Sequence, residues 1–367
     1  MTSEEVKSEW RMVKRLKQET KSNRYKIRKD GFQVKASDRE SGIALLIVLW
    51  VTAVLIVIAL SFSVMARTEI FSTITFKEQM INKYLAEAGI QRAIMEIFYR
   101  NTNKNNQITF GGEEVYCTDG TFYYGAMSNG YYKISINDES GKININLMTD
   151  SSGIILNNLL VNMGVEKKTA DTIVDSILDW KDTDNLTRLS GSEDDYYMSL
   201  SDPYKAKNAN FDNLEELLLV KGVTSEILYG NEEKPGLINF VTLYSSTDKI
   251  NINTASTEVL KAIPFISDND IEQIINFRKA DNTKKDGTNI QSALGGDYTK
   301  ISQYISTGDS NIYAIEVLGY KEKNADKKGY PIKSIIMVEA SDRYRILYYQ
   351  SPANITGMKT QSKLRDI

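Results

Sequence analysis

The stretch from Ile43 to Ala66, IALLIVLWVTAVLIVIALSFSVMA, is 24 consecutive residues without a charge. At about 1.5 Å per residue a helix of that length spans roughly 36 Å, enough to cross a hydrocarbon core of about 30 Å. A cleavable secretory signal fits poorly, because its apolar part is usually about 7–15 residues and ends at an A-x-A-like site, which is not found here. Upstream, residues 1–42 carry 12 Lys/Arg against 7 Asp/Glu, a net +5 in a chain whose overall charge is −3, so the remainder carries −8. A basic leader before the span predicts a cytoplasmic N-terminus and a C-terminal part outside.

The helix is expected to run on past the span. Ile81, Tyr84, Leu85 and Ala88 stand at i, i+3, i+4 and i+7, and Ile90, Ala93, Ile94, Ile97 and Phe98 form a second stripe. Apart from Gly89, no strong breaker interrupts residues 43–98. Such a rod needs lipid or sibling helices around its first half and a globular head against its second.

The bulk composition, 367 residues with 41% hydrophobic and 25% charged, is that of a globular protein. There is no histidine at all, which excludes Ser-His-Asp and Cys-His catalysis and any His-bearing zinc site. The single cysteine, Cys117, cannot form an intramolecular disulfide and is expected as a half-buried strand residue.

Beyond the stem, E-E-V-Y-C, T-F-Y-Y-G and Y-Y-K-I-S-I-N read as short strands punctuated by the hairpin-favouring pairs Asp119-Gly120 and Asn129-Gly130. Strand character resumes only with N-I-Y-A-I-E-V-L, K-S-I-I-M-V-E-A and Y-R-I-L-Y-Y-Q, and the chain between is largely helical. This is one sheet interrupted by an insertion. The expected division is a basic leader 1–42, a transmembrane helix 43–66, an amphipathic stem helix and linker 67–110, a first sheet block 111–146, an inserted helical domain 147–248, a second helix-turn-helix segment 249–310, a second sheet block 311–350, and a disordered tail 351–367. A repeat supports it: Lys142-Ile143-Asn144-Ile145-Asn146 recurs as Lys249-Ile250-Asn251-Ile252-Asn253, each followed by a helix-turn-helix pattern. The first helical face is Ala170, Ile173, Val174, Ile177 and Leu178; the second is Ile271, Ile274 and Ile275, opened by a capping box from Ser267 to Asp270.

The most informative polar stretch runs from Asp179 to Asp195, D-W-K-D-T-D-N-L-T-R-L-S-G-S-E-D-D. A hard cation such as calcium takes about 6–8 oxygen ligands, so an acidic loop folded on itself suits one, although the EF-hand frame is missing. The bland alternative is a solvated acidic turn with helix-capping aspartates. A glycosidase carboxylate pair is a further possibility on residue type alone, but nothing places two of these groups across a sugar cleft.

The string Ser41-Gly42-Ile43-Ala44-Leu45-Leu46, a charged leader ending in glycine before a long apolar helix, resembles the leader of type IV pilins and pseudopilins. Within that superfamily the apolar continuation and AEAGIQRAI (Ala86–Ile94) resemble general secretion pathway protein K, a minor pseudopilin family of type II secretion systems. The resemblance implies an α+β fold: a pilin-like long N-terminal helix packed on an antiparallel sheet, with an inserted all-helical domain of helix-hairpin-helix or SAM-like type. It also implies cleavage between Gly42 and Ile43 by a prepilin peptidase, with methylation of Ile43. The leader is long for the family, and Ile is a less usual first residue than Phe or Met. Position five of the mature chain is Ile47, where most pilins have a Glu that neutralises a neighbour's free amine. A subunit lacking it suits a filament tip, since an unpaired charge in lipid is expensive.

The pattern D-W-x-D-x-D, then G-x-E-D-D-Y-Y, Pro203-Tyr204 and Asn208 is similar to the helical domain of protein K, and implies structural calcium on Asp182, Asp184, Glu193, Asp194 and Asp195. The implied role is non-enzymatic, at the inner membrane. The implied partners are other minor pseudopilins, the major pseudopilin, the prepilin peptidase and the inner-membrane assembly platform. The string NINTASTEVLKAIP (251–264) also resembles DNA-uptake proteins, so a type IV pilus or DNA-uptake minor pilin is the alternative. Nucleic acid is not expected as a partner: the second turn, P-F-I-S-D-N-D, has no glycine and presents carboxylates where a phosphate would sit. A membrane-tethered hydrolase is the rival from the enzyme class.

Overall fold

The computed structural model describes residues 11–15, 40–103, 116–231, 233–279, 291, 294–308, 310–322 and 329–353. Two compact units divide the chain, Met1–Thr73 and Ile74–Ile367. Helix α1, Glu40–Thr102, contributes residues to both. Within the first unit, every described side chain from Ile43 to Thr73 except Ala66 is exposed. Among the described residues α1 is the one helix long and apolar enough to cross a bilayer, with a mean hydropathy of 3.2 over its most apolar window. Exposure of that much apolar surface is unstable in water and demands lipid or protein around it.

In the second unit the same helix becomes one wall of a core. Leu85, Ala86, Gly89, Ile90, Ala93, Ile94 and Ile97 are buried, and Ala86, Ile90, Ala93, Ile94 and Ile97 share a core with Ile134, Ile136, Ile315, Val317, Ile332 and Ile336 of a sheet. The expected stripe is corrected here: Tyr84 is exposed, and Ile81 and Ala88 are only half-buried. The helix seats through its small residues instead. A Cβ on Gly89 would overlap Val317, and a Cβ on Gly319 would overlap the backbone of Asn82 and Ala86. The two backbones therefore approach at a distance that only glycine permits.

The sheet has five strands: β1 (Asp119–Met127), β2 (Gly130–Asp138), β7 (Ile312–Tyr320), β8 (Tyr330–Ala340) and β9 (Arg343–Gln350), in the order β1-β2-β7-β8-β9. Every neighbouring pair is antiparallel. It is a meander in which residues 139–311 replace one hairpin loop, so the expected α+β insertion architecture is present. Buried Asp138 pins both ends of the insertion: its carboxylate accepts from the N–H and hydroxyl of Ser140 on the way out (2.8 and 2.6 Å) and from the N–H of Ser310 on the way back (3.4 Å).

Two local expectations are corrected. Cys117 is half-buried but lies outside any strand, its N–H donating to Tyr123 Oη at 2.8 Å. Asp119-Gly120 opens β1 and makes no turn; the β1–β2 turn is Ser128-Asn129, and Gly130 begins β2. Residues 104–115, part of the expected linker and first sheet block, and 354–367, most of the expected tail, lie outside the described residues, as does most of the leader.

The insertion contains helices α2 (Gly153–Asn162), α3 (Lys167–Lys181), α4 (Asp194–Tyr197), α5 (Ser225–Tyr229), α6 (Thr257–Ala262), α7 (Asp268–Lys279) and α8 (Gly296–Ile301). The repeated K-I-N-I-N does not extend the sheet. Its first copy forms β3 (Ile143–Asn144), parallel to β4 (Val241–Thr242), and its second forms β5 (Ile250–Asn251), parallel to β6 (Ile305–Ser306). In both, the first asparagine folds back on the following turn, Asn144 accepting from the N–H of Leu147 and Asn251 from that of Asn253, both at 3.0 Å. The first sheet block thus ends at Asp138, not 146. Segments 147–248 and 249–310 share one core, in which Leu159, Ile173 and Ile177 join Leu260, Ile271 and Ile301. The Ser267–Asp270 capping box is formed reciprocally at the start of α7.

Gly319→Val should destabilise the detergent-solubilised chain by about 1–3 kcal/mol of overpacking, read as a lower melting temperature. Gly308→Ala, where nothing lies within 4 Å of the added atom, should leave it unchanged.

Candidate metal centre

Helix α3 is rotated by its apolar face: Ala170, Ile173, Val174, Ile177 and Leu178 are all buried. That rotation lines up Asp175, Asp179 and Asp182, at i, i+4 and i+7, along the side facing the loop that returns through residues 183–193. The loop is held from beneath by aromatic rings. Trp180 meets Tyr197 edge-on at 5.2 Å and stacks on Phe211 at 6.3 Å, while Tyr197 stacks on Tyr204 at 5.3 Å. Gly191 lets the loop close, since a Cβ there would collide with the Asp179 carboxylate.

Asp179, Asp182 and Glu193 come together, each offering an oxygen within 4.8 Å of the others. Asp179 is fully buried and accepts from Ser192 N–H (2.8 Å) and from the backbone and guanidinium of Arg188 (3.2 and 2.8 Å). The same Arg188 Nη1 donates to Asp182 Oδ2 at 2.6 Å, and its Nε donates to Asp150 at 3.1 Å. Asp182 Oδ1 and both carboxylate oxygens of Glu193 are buried and have no hydrogen-bond partner.

The electrostatics are unfavourable for three carboxylates. They gather at the C-terminal end of α3, where the helix dipole is negative. Burial pushes the Glu193 carboxyl up to about 7, helped by the charges of Asp179, Asp182, Asp184 and Asp194. Burial likewise raises Asp179, against the lowering effect of Arg188. Lys181 adds positive charge nearby, but its Nζ is turned to the carbonyls of Asn146 and Met148. An all-oxygen set with unpaired buried lone pairs suits a hard cation.

Of the five residues implied from the sequence, Asp182 and Glu193 are brought together. Asp184 and Asp194 lie close enough to act on Glu193 electrostatically. Asp184 is exposed and caps the N–H of Leu186 (2.8 Å), whereas Asp194 is engaged by Lys205 and by the N–H of Ala206, both at 3.0 Å. Asp195 is exposed on α4. Asp179 was missing from that set; its spacing of three from Asp182 on a helix was the available signal. Asn208, quoted in the sequence pattern though not as a ligand, has a positive φ of 49° and a buried Oδ1 without a hydrogen-bond partner, while its amide donates to Asn185 Oδ1 at 3.2 Å. At the other expected site, Gly42 and Ile43 fall in the first turns of α1, and Ile47 is 58% exposed on its apolar half.

A long N-terminal helix laid on an antiparallel meander, with a helical domain inserted between neighbouring strands, defines a pilin-like α+β protein. Residues 141–230, a segment that contains the carboxylate cluster, match the family described as type II secretion system (T2SS), protein K. The chain is 29% identical over 210 residues to type II secretion system protein K of Pseudomonas aeruginosa, an alignment covering 52% of this chain and 61% of the relative. It is 26% identical over 202 residues to the protein of that name from Pectobacterium carotovorum, covering 52% and 60%. The chain thus spans about three fifths of the length of these relatives. The fold is similar to a chain in the crystal structure of the GspK-GspI-GspJ complex of the enterotoxigenic Escherichia coli type 2 secretion system. That likeness has a TM-score of 0.54 at 18% identity and covers 77% of this chain and all of the other.

A raised carboxyl pKa means that the folded state holds its proton more tightly than the unfolded chain does. The stability it contributes is complete below about pH 4.5 and is lost as pH rises through 7. In divalent-free buffer the melting temperature should therefore fall between pH 5 and pH 7 more steeply for the wild type than for Glu193→Gln. Equal slopes in the two melting series would remove Glu193 as the titrating group.

Proposed function

We propose that this chain is a non-enzymatic minor pseudopilin of a type II secretion system, anchored in the bacterial inner membrane by α1 with its N-terminus cytoplasmic and its second unit periplasmic. The observation that carries this is α1 itself: uncharged from Ile43 to Ala66 and exposed almost throughout as far as Thr73, then sealed onto a sheet from Leu85 to Ile97. A helix of that kind suits a subunit held first by lipid and then by sibling helices in a fibre. The P. aeruginosa and P. carotovorum relatives bear the name of such a component, and the structural neighbour was crystallised with GspI and GspJ. Other minor pseudopilins are the partners this supports, with the major pseudopilin and the assembly platform beyond them.

Ile47 favours the tip of the pseudopilus. It puts an apolar side chain where a carboxylate would be needed to meet a neighbour's amine, so a subunit added below another copy would leave that charge unpaired in lipid. From the tip the chain would initiate assembly. The DNA-uptake alternative is less well supported, because Asp270 in the second turn is acidic and already bonded to Ser267.

Processing by a prepilin peptidase between Gly42 and Ile43 would release the basic leader. Intact-mass measurement of the membrane-extracted protein should give a chain beginning at methylated Ile43. Gly42→Ala should retain residues 1–42 and abolish export of the system's substrates. A Gly42→Ala chain of mature mass would contradict the assignment.

Calcium is the cation that the oxygen set suits, with Asp179, Asp182 and Glu193 holding it and Asp184 and Asp194 adding negative charge around them. When bound it would supply the positive charge that the end of α3 lacks. A ligand that binds only the folded state stabilises it in proportion to its excess over Kd. Millimolar calcium should raise the melting temperature of the wild type, and a chelator should reverse the shift. Glu193→Gln should lose most of it, while Asp195→Asn, on the exposed side of α4, should keep it.

A further inference from the structure

Arg188 occupies the mouth of the carboxylate cluster in the manner of a bound cation. It is the one residue of the returning loop whose charge reaches three aspartates: Nη1 bridges Asp179 (2.8 Å) and Asp182 (2.6 Å), and Nε reaches Asp150 (3.1 Å). Its backbone N–H also points at Asp179, so backbone and side chain converge on one carboxylate. Opposite it, Glu193 is only 3% exposed and leaves both oxygens without a partner, as Asp182 leaves Oδ1. The cluster is therefore half neutralised. One side is tied to a guanidinium, and the other holds buried oxygens aimed at the space between the three carboxylates.

A divalent cation bonded at about 2.3–2.6 Å to several oxygens fits among atoms that lie within 4.8 Å of one another. It would do so on the very pair that Arg188 bridges. Both cations draw on the same lone pairs, and their like charges repel across a short, poorly solvated distance. Asp182 is the shared ligand best placed to change hands, because one of its oxygens serves Arg188 and the other is free. Asp150 stays available to the displaced guanidinium, since its side chain is 78% exposed.

We infer that Arg188 is a built-in counter-cation that competes with a divalent ion for Asp179 and Asp182, holding the loop closed when the metal is absent and lowering the affinity when it is present. The inference rests on the calcium reading of the cluster. It makes the loop a two-state clasp, closed by an arginine at low calcium and by the metal at high calcium. An arginine that merely supported the ligands would act in the opposite sense, since its removal would weaken binding.

The test is calcium titration by calorimetry of the detergent-solubilised full-length chain, with melting curves recorded in chelator, for the wild type, Arg188→Gln and Arg188→Lys. Arg188→Gln should melt lower than the wild type without calcium yet bind calcium at least tenfold more tightly, about 1.4 kcal/mol. Arg188→Lys keeps the charge but cannot bridge three carboxylates; it should bind about threefold more tightly than the wild type, and it carries the test if the glutamine variant does not fold. Calcium binding by the wild type with unchanged or weaker binding by the folded variants would overturn the clasp and leave the calcium site standing. Absence of calcium binding in the wild type and both variants would overturn the site and the clasp together.

Discussion

The second unit depends on a helix backbone touching a sheet backbone. Gly319 in the middle of the sheet and Ala86 and Gly89 on α1 remove the side chains that would hold the two layers apart. The larger residues of the same face, Ile90, Ile94 and Ile97, then join the sheet side chains in one core. Each buried aliphatic side chain contributes about 1.5–3 kcal/mol, but the seating that allows it comes from the small residues. The contact also accounts for the change in character along α1. From Leu85 to Ile97 the helix has a protein partner, whereas its described side chains from Ile43 to Thr73, Ala66 apart, are exposed.

A second constraint is the closure of the sheet around its insertion. β2 and β7 pair along their length, from Tyr131 opposite Tyr320 to Asp138 opposite Tyr313, although residues 139–311 separate them in sequence. Loop-closure entropy grows only slowly with length, so a large insertion is tolerable if its two ends are held together. Asp138 does this with one carboxylate shared between Ser140 and Ser310. The inserted domain is then free to carry its own core and its own electrostatic problem. That problem is concentrated at the end of α3, where Asp179, Asp182 and Glu193 are brought under the loop by an apolar helix face, an aromatic floor and Gly191. Arg188 and a hard cation are two answers to the same excess of negative charge.

The span and the interrupted sheet were legible because both are written in long patterns: 24 uncharged residues in a row, and two strand-rich blocks on either side of helical periodicity. The stripe on α1 was misread at Tyr84 because periodicity favours large apolar residues, whereas the packing was decided by Ala86 and Gly89, which carry little hydrophobic signal. Similarly, Asp119-Gly120 has turn chemistry, yet the pairing of β1 with β2 absorbed it into a strand. The two K-I-N-I-N copies share one local form, but their strands pair with β4 and β6, a long-range choice that no local pattern encodes. At the acidic loop, residue type drew attention to the exposed Asp184 and Asp195. Burial selected Asp179, which in sequence looks like the polar edge of an amphipathic helix.

The most direct test of the account is whether the exposed half of α1 has protein partners of its own kind. Co-expression of the full chain with the other pilin-type subunits encoded beside it, followed by detergent extraction and native mass spectrometry, should give a heteromeric complex that contains this chain. That complex should dissociate when charged residues replace Leu49 and Leu55 on the apolar half. A chain that is always recovered alone, with or without those substitutions, would contradict the claim that it is a subunit of a pilus-like fibre.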